Sequence, residues 1–320
     1  MSVDRILLVS LDNLGDMVFA SALAPPLREH FPRATLDIWC KEYTADVARL
    51  VPGVGDVIPS DPFWDRAPGR AKGSKAAFFR AMKQVRARRY DVALLAAAPW
   101  RTAAAVAATR IPVRIGLRRR KNRAFLTEAL PDEQPHHPVL AELGRLLEPL
   151  GVPPHQLRYR LDASTLSGRL ARLASRIPSP YAALHPFASK QNRCVALPVW
   201  TELSRRLRAR GLGTLWIGSR TELDQLRAAA SDREWRFVDR DSDGTLADTA
   251  AALSAAALFV GHDSGPLHIA GAFGVPVVGI FAPGEPLRTF PQGVGKSRML
   301  ARPSPAGIAV EDILLEIDAL

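Results

Sequence analysis

Between Gly261 and Pro291 the chain runs GHDSGPLHIAGAFGVPVVGIFAPGEPLRTFP, which sets Asp263, Ser264 and Gly265 between an apolar run and a helix-like one. The preceding LFVGH is short and apolar, as a buried parallel strand should be, and VPVVGIF (Val275 to Phe281) is another. The segment between them has Pro266 near its start and Gly274 past its end, the usual start and stop signals of a helix. The polar trio therefore falls where a strand gives way to a helix, the place at which open α/β sheets bind ligands. The unpaired N–H groups of a helix start suit a phosphate. His268, one turn on, is either a partner in that site or a packed helix residue.

Two other strand ends carry chemistry. In SLDNLGD, joining the first strand to the first helix, Asp16 stands at or near the helix start. It is either a first-turn acid complementing the helix dipole or a carboxylate aimed at a ligand as a general base. Asp12 comes directly off the strand and is less well placed. The turn has one Gly where the dinucleotide fingerprint needs three. HPFASKQNR (His185 to Arg193) follows a later strand and brings Lys190 and Arg193, which either offset the charge of a diphosphate or sit in water. VDRDSDG, with Asp239, Asp241 and Asp243, opens like a calcium loop, but its twelfth position is Ala250 instead of Glu, so no metal is expected.

The elements around these residues alternate. RILLVSL, TLDIWC, DVI, DVALLAA and VRIG are expected strands of the first half, separated by helices near Thr44 to Leu50, Lys75 to Arg89 and Trp100 to Ala108. An apolar-periodic stretch also runs on to Phe31, and HPVLAELGRLLEPLG forms a further helix closed by Gly151. YAALHP, GTLWIG, RFVD, LFVGH and VPVVGIF are the strands of the second half, with helices after Leu197, around Thr221 to Ala230, from Leu246 to Ala256, and at the end in VEDILLEIDAL. Such βα alternation predicts mainly parallel sheets covered on both faces. The break falls in Gly151 to Ser179, where GVPP and IPSP interrupt the pattern. Two doubly wound domains, 1–160 and 161–320, facing each other across a cleft, are expected, with the last helix able to return to the first domain.

Composition narrows the class. With 320 residues, 47% of them hydrophobic and 23% charged, the chain is globular and long enough for two cores. No run approaches a membrane span. Strand pattern begins almost at once, and only Cys40 and Cys194 are present, so a reducing cytoplasmic location without a leader is expected. The net charge of +11 is local: residues 66–123 hold seventeen Lys or Arg and one acid, Asp91, so the remainder is net acidic. Such a surface suits a phosphate-bearing partner, either an anionic glycan or glycolipid or the inner membrane surface, with Arg118, Arg119 and Arg120 at its densest point. Few aromatics interleave with these charges and no groove-binding motif is present, so nucleic acid is not expected.

Together these residues resemble the bacterial heptosyltransferases, glycosyltransferase family nine. ILLVSLDNLGDMVFASALAPPLREHFPRATLDIW is similar to the family's strand, S-x-x-x-G-D turn, helix and F-P-x-A-x-I-D. GHDSGPLHIAGAFGVPVVGIFAPGEP resembles its D-[ST]-G-x-x-H-x-A-x-x-x-x-x-P-x-x-x-x-[FY]-G-P-T-x-P, and HPFAS the start of its H-P-G-A-S loop. The resemblance implies a GT-B fold of two Rossmann-like domains. It also implies inverting, metal-independent transfer of a heptose from ADP-heptose to the lipopolysaccharide core, with the nucleotide sugar as co-substrate and no cofactor. By position it makes Asp16 the base that takes the acceptor proton. It makes Asp263, Ser264, Gly265 and His268 the donor diphosphate site, with Ser189 in the H-P-G-A-S counterpart and Glu222 beside the ribose. The chain departs from the family's K-x-W-P, having RCVALPVW, so Arg193 and then Lys190 stand in for its lysine. FAPGEP in place of F-G-P-T-x-P loses a hydroxyl, and both departures fit a different donor or another acceptor, such as a secondary metabolite. A sugar-nucleotide-binding protein without the chemistry is the alternative of another class.

Overall fold

Short apolar strands alternating with one-sided helices bury both faces of a sheet only if the strands pair parallel and the helices cover them. The computed structural model has this arrangement twice. It describes residues 3–65, 72–119, 121–131, 137–153, 156–174, 177, 179–229, 236–239, 245–284 and 286–320. The chain divides into Met1–Tyr159 and Arg160–Leu320.

The first unit contains, in order, β1 (Arg5–Ser10), α1 (Leu14–Ser21), α2 (Ala24–His30), β2 (Thr35–Cys40), α3 (Ala45–Ala48), β3 (Val57–Pro59) and α4 (Lys75–Ala87). It continues with β4 (Val92–Leu95), α5 (Trp100–Ala108), β5 (Val113–Leu117), β6 (Glu128–Leu130) and α6 (Val139–Gly144). All pairs of its sheet are parallel, in the order β3-β2-β1-β4-β5-β6. The order reverses between β1 and β4. Phe78, Ala81 and Val85 of α4 share one apolar cluster with Ala103 and Val106 of α5 and with Leu7, Val9 and Leu95 of the sheet, so α4 and α5 cover one face. Helix α1 packs with α3 and α6.

The second unit contains α7 (Ser167–Ala174), β7 (Tyr181–His185), α8 (Leu197–Ala209), β8 (Gly213–Gly218), α9 (Arg220–Ala229), β9 (Arg236–Asp239) and α10 (Leu246–Ser254). It ends with β10 (Leu258–His262), α11 (Gly265–Ala272), β11 (Val277–Phe281), α12 (Pro286–Thr289), β12 (Ser297–Ala301) and α13 (Val310–Asp318). This sheet is again parallel, ordered β12-β11-β10-β7-β8-β9, and reverses between β7 and β10. Gly261 of β10 lies opposite His185 of β7, where an added Cβ would meet the Phe259 ring at 2.7 Å and the His185 carbonyl at 3.1 Å. The last helix packs on α8, β11 and β12. Arg206 of α8 and Arg210, just past the end of α8, bind Glu311 and Asp318 of the last helix.

Several elements depart from expectation for local reasons. The stretch expected to run to Phe31 breaks into α1 and α2, because Pro25 and Pro26 fit only a new first turn. Helix α6 stops at Gly144 and tightens into 3₁₀ turns through Leu150, with Pro149 inside and Gly151 closing them at φ 69°. Strands β6 and β12 and helix α7 carry no continuous apolar run and were not expected.

Beneath the first sheet, the buried Asp37 carboxylate accepts from the Asp56 N–H at 2.8 Å, Tyr90 Oη at 2.6 Å and Arg88 Nη1 at 2.8 Å. This joins β2 to the loop before β3 and to the end of α4. Asp37→Ala would leave the Tyr90 phenol and the Asp56 amide unpaired and the Arg88 guanidinium with Asp56 as its remaining carboxylate. It should destabilise the chain by about 3 kcal/mol or more in urea unfolding; an unchanged midpoint would show that the network contributes nothing net.

Candidate active site

The first unit's candidate lies at its reversal point. Ser10 closes β1, and the next residues turn outward before α1 starts. Asn13 is the extended N-cap, but its side chain makes no capping bond. Asp12 Oδ1 accepts from the Asn13 N–H at 2.8 Å, and Asp16 stands in the first turn, half-buried. Burial pushes the Asp16 carboxyl up to about 7, and the charge and hydrogen bonding of Asp12 add to it; the Asn13 backbone N–H and the Lys41 cation pull the other way. A carboxyl so placed changes protonation near neutral pH and is suited to taking a proton from a bound hydroxyl. Lys41 is buried, follows β2 directly and is paired with Asp65. Sequence reasoning missed it, although the strand-end rule that singled out Asp16 applies equally to CKEYT.

The second unit's candidate lies at its own reversal point. Ser264 is the N-cap of α11 in extended conformation, yet its hydroxyl does not cap the helix. The Ser264 Oγ instead lies 3.1 Å from His185 Nδ1, at the end of β7, and donates to the His262 carbonyl at 3.0 Å. Pro266 has no N–H and the Leu267 N–H bonds the Ser264 carbonyl, so the amide this helix start offers an anion is that of Gly265. Asp263, Ser264 and Gly265 are half-buried. His268 is buried behind them, its Nε2 3.6 Å from Asp263 Oδ1, and Thr289 of α12 donates to Asp263 Oδ2 at 3.2 Å. A carboxylate held in this way is a poor neighbour for phosphate and a good acceptor for sugar hydroxyls.

The loop after β7 carries the candidate cations. Ser189 and Lys190 are exposed and Arg193 is half-buried, in a 3₁₀ turn at Gln191–Arg193. Its far end is held by His262, whose Nε2 accepts from the Val195 N–H at 3.0 Å. Burial lowers His262 to about 3, with the His185 imidazole adding to it and a backbone hydrogen bond to His185 opposing, so the ring is a neutral acceptor. Glu222, after β8, reaches back to the residue before α9: its Oε2 accepts from both the N–H and the hydroxyl of Ser219, at 2.7 Å each. β8 adjoins β7 and β7 adjoins β10, so Glu222, the cationic loop and Ser264 follow neighbouring strand ends. His185, His262 and Thr289 were not singled out. The two histidines each end a buried strand, which is the signal that could have found them; Thr289 has none.

Of the basic trio, Arg118 and Arg119 are exposed, and Arg120 lies outside the described residues. Fully buried Asn122 organises their loop: its Nδ2 donates to the Ala98 and Leu117 carbonyls at 2.7 and 2.9 Å, and its Oδ1 accepts from the Arg119 N–H at 2.7 Å. Among the described residues no three His, Cys, Asp or Glu side chains gather to hold a metal ion, and Asp241 and Asp243 fall outside them.

Comparison with known proteins places these motifs. Residues 78–306 match the family model of Glycosyltransferase family 9 (heptosyltransferase). The lipopolysaccharide core heptosyltransferase OpsX of Haemophilus influenzae is 22% identical over 290 residues, which are 89% of this chain and 80% of the relative. Among solved structures, a glycosyl transferase family 9 protein of Veillonella parvula superposes with a TM-score of 0.82 at 17% identity, covering 100% of this chain and 98% of the other. The E. coli heptosyltransferase WaaC, solved with ADP, gives 0.80 at 18% identity over 98% and 99%.

A raised carboxyl leaves a mark on stability. Between its ordinary value of 3.8 and about 7, folded Asp16 keeps a proton that the unfolded chain has lost, so its contribution to stability falls as pH rises through that window and is level above it. Asp16→Asn has no such slope. The variant's Tm advantage over the parent should widen from pH 4 to pH 8; a constant or shrinking gap would place Asp16 as an ordinary helix cap.

Proposed function

Because the chain belongs to glycosyltransferase family 9, the heptosyltransferases, we propose that it moves a heptose from ADP-heptose to a hydroxyl of the lipopolysaccharide core, with inversion and without a metal. The chain is thus a glycosyltransferase of the GT-B fold; the donor, the stereochemistry and the freedom from metal are what is proposed. The observation that carries this reading is the half-buried Asp16 carboxyl, poised at about 7 at the end of β1. Asp16 takes the proton of the acceptor hydroxyl as that oxygen bonds the anomeric carbon. The bond from that carbon to the β-phosphate oxygen breaks on the opposite side, and ADP leaves with the electron pair.

The second unit is assigned the leaving group. The Gly265 N–H, the Ser264 hydroxyl and the positive end of α11 meet the developing phosphate charge, and Arg193 and Lys190 supply the cations that a metal would otherwise provide. Asp263, backed by His268 and Thr289, accepts hydroxyls of the sugar. Glu222 uses one oxygen on Ser219 and turns the other to the ribose, and Ser189 contributes a hydroxyl to the phosphate side. Two relatives point the same way: WaaC was solved with ADP, and OpsX is a heptosyltransferase of the lipopolysaccharide core. Arg118 and Arg119 bind anionic groups of the acceptor. No described helix is long and apolar enough to cross a membrane. A glycolipid acceptor is met at the surface of the cytoplasmic leaflet.

Turnover with purified ADP-heptose and core acceptor tests the assignment. Asp16→Asn should lower kcat by about 10²–10⁴-fold and leave donor affinity alone, as expected for loss of a general base. In the parent, kcat/KM should rise with pH through about 7 and then level, since only the ionised carboxylate accepts a proton. EDTA should change neither. Near-parental turnover of Asp16→Asn would overturn the catalytic role, and activity restored by magnesium after EDTA would overturn metal independence.

Replacing Arg118 and Arg119 together by Gln should raise the acceptor KM about tenfold and flatten its salt dependence while donor KM holds. Equal acceptor kinetics would return these residues to a solvated surface.

A further inference from the structure

Ser264 occupies the N-cap of α11, a position where a serine hydroxyl accepts a backbone N–H of the first helical turn. The chain uses serine in that way elsewhere. Ser74 before α4 accepts from the Ala77 N–H, and Ser304 from the Ala306 N–H, at 3.3 Å each. Ser264 has an extended backbone as those two have, yet its side chain makes no capping bond. Its Oγ lies instead 3.1 Å from His185 Nδ1 and donates to the His262 carbonyl at 3.0 Å. The helix does without the cap, because Pro266 has no N–H and the Leu267 N–H bonds the Ser264 carbonyl. The hydroxyl is drawn off its own helix toward a residue of another strand.

His185 is held firmly enough to do this. It ends β7, lies opposite Gly261 of β10 and is buried. The Phe187 ring stands edge-on to its imidazole, with centroids 5.9 Å apart. While Ser264 donates to the His262 carbonyl, only an Nδ1–H of His185 can bond the same oxygen. In that state Oγ is fixed from the protein side, and its O–H is free to swing from the carbonyl to a ligand. A hydroxyl that accepts one hydrogen bond is polarised to donate a stronger one. Ser264 is half-buried and adjoins the Gly265 N–H, so a ligand reaching that amide also reaches the hydroxyl. A hydroxyl needed only for the fold would be satisfied on α11, as Ser74 is on α4.

We propose that His185 is a positioning residue for the leaving diphosphate: its Nδ1–H holds the Ser264 hydroxyl away from the helix cap and turns its proton toward a phosphate oxygen. This rests on the proposed function, which puts the diphosphate at the start of α11. When the phosphate arrives, Ser264 exchanges the neutral His262 carbonyl for a charged acceptor and keeps its bond to His185. The exchange favours binding, since a hydrogen bond to an ionised oxygen is the stronger of the two. His185 stays behind Ser264 and acts only through it.

Calorimetric titration of the full chain with ADP, UDP and adenosine tests it. His185→Phe keeps a ring and removes the donor, His185→Asn keeps an N–H near the place of Nδ1, and Ser264→Ala removes the hydroxyl. His185→Phe and Ser264→Ala should each weaken ADP about tenfold, the order of one hydrogen bond to a charged group, and leave adenosine unchanged. The double variant should bind no more weakly than either single one, because one residue acts through the other. His185→Asn should recover most of the loss. Imidazole ¹⁵N spectra of the parent give a reading that needs no variant to fold: Nδ1 of His185 should carry a proton in the ADP complex. A bare Nδ1 there, ADP affinity equal in parent and His185→Phe, equal losses for ADP and adenosine, or an additive double variant would overturn the positioning role and leave the donor reading intact. A parent that binds UDP in preference to ADP, with the same loss in His185→Phe, would overturn ADP-heptose as donor and support the role of His185. A parent that binds neither nucleotide would overturn both.

Discussion

Helices that leave neighbouring parallel strands toward opposite faces of a sheet cannot both close over the strand ends between them. That constraint generates the crevices beside which Asp16 and Ser264 stand. In the first sheet the crevice falls between β1 and β4, and in the second between β7 and β10. Asp12, Asn13 and Asp16 follow β1; His185 ends β7, and Ser264 follows β10. The strands are apolar along their length because both faces are covered. Polar chemistry is therefore pushed to their ends, where backbone groups are unpaired and a side chain can reach a ligand.

Each crevice is held under electrostatic tension. Asp16 is brought out of water beside a second carboxylate and stays protonatable near neutrality, a costly placement that an ordinary helix cap does not need. Around His185 the tension is resolved differently. Two imidazoles lie close together, and burial keeps His262 neutral, so its ring serves as an acceptor that pins Val195 and the end of the cationic loop. A cationic loop anchored by a neutral, buried acceptor keeps its charges for a ligand. Asp263 is likewise tied, to His268 and Thr289, so that its orientation is set before any sugar arrives.

The excess of positive charge takes its meaning from pairing. On the second unit, Arg206, Arg210, Arg298 and Arg302 are matched by Glu311, Asp318, Glu316 and Asp312 of α13, and these pairs help to seat the last helix. Exposed pairs of this kind add little stability each, but they consume charge that would otherwise attract anions. In the first unit Arg88 is taken up by Asp37 and Asp56, whereas the outer face of α4 keeps its field. The result is one surface with a field and another without.

Local patterning is enough to specify the parallel α/β class, most strands, and the position of Asp16, Asp263, Ser264 and Gly265 at strand-to-helix junctions. Those depend on apolar period and on Pro and Gly punctuation, which act over a few residues. Short edge strands such as β6 and β12 escaped because a half-exposed strand needs no apolar run. What the junctions do is legible only from contacts made across the fold. Ser264 looks like a helix cap in sequence but spends its hydroxyl on His185, 79 residues away. Glu222 looks free but has one oxygen committed to Ser219. Lys41 and Thr289 become neighbours of the two aspartates only when strands are set side by side. Pairing and burial are relations between residues distant in the chain, and the dielectric and charge they impose on a carboxylate have no local signature.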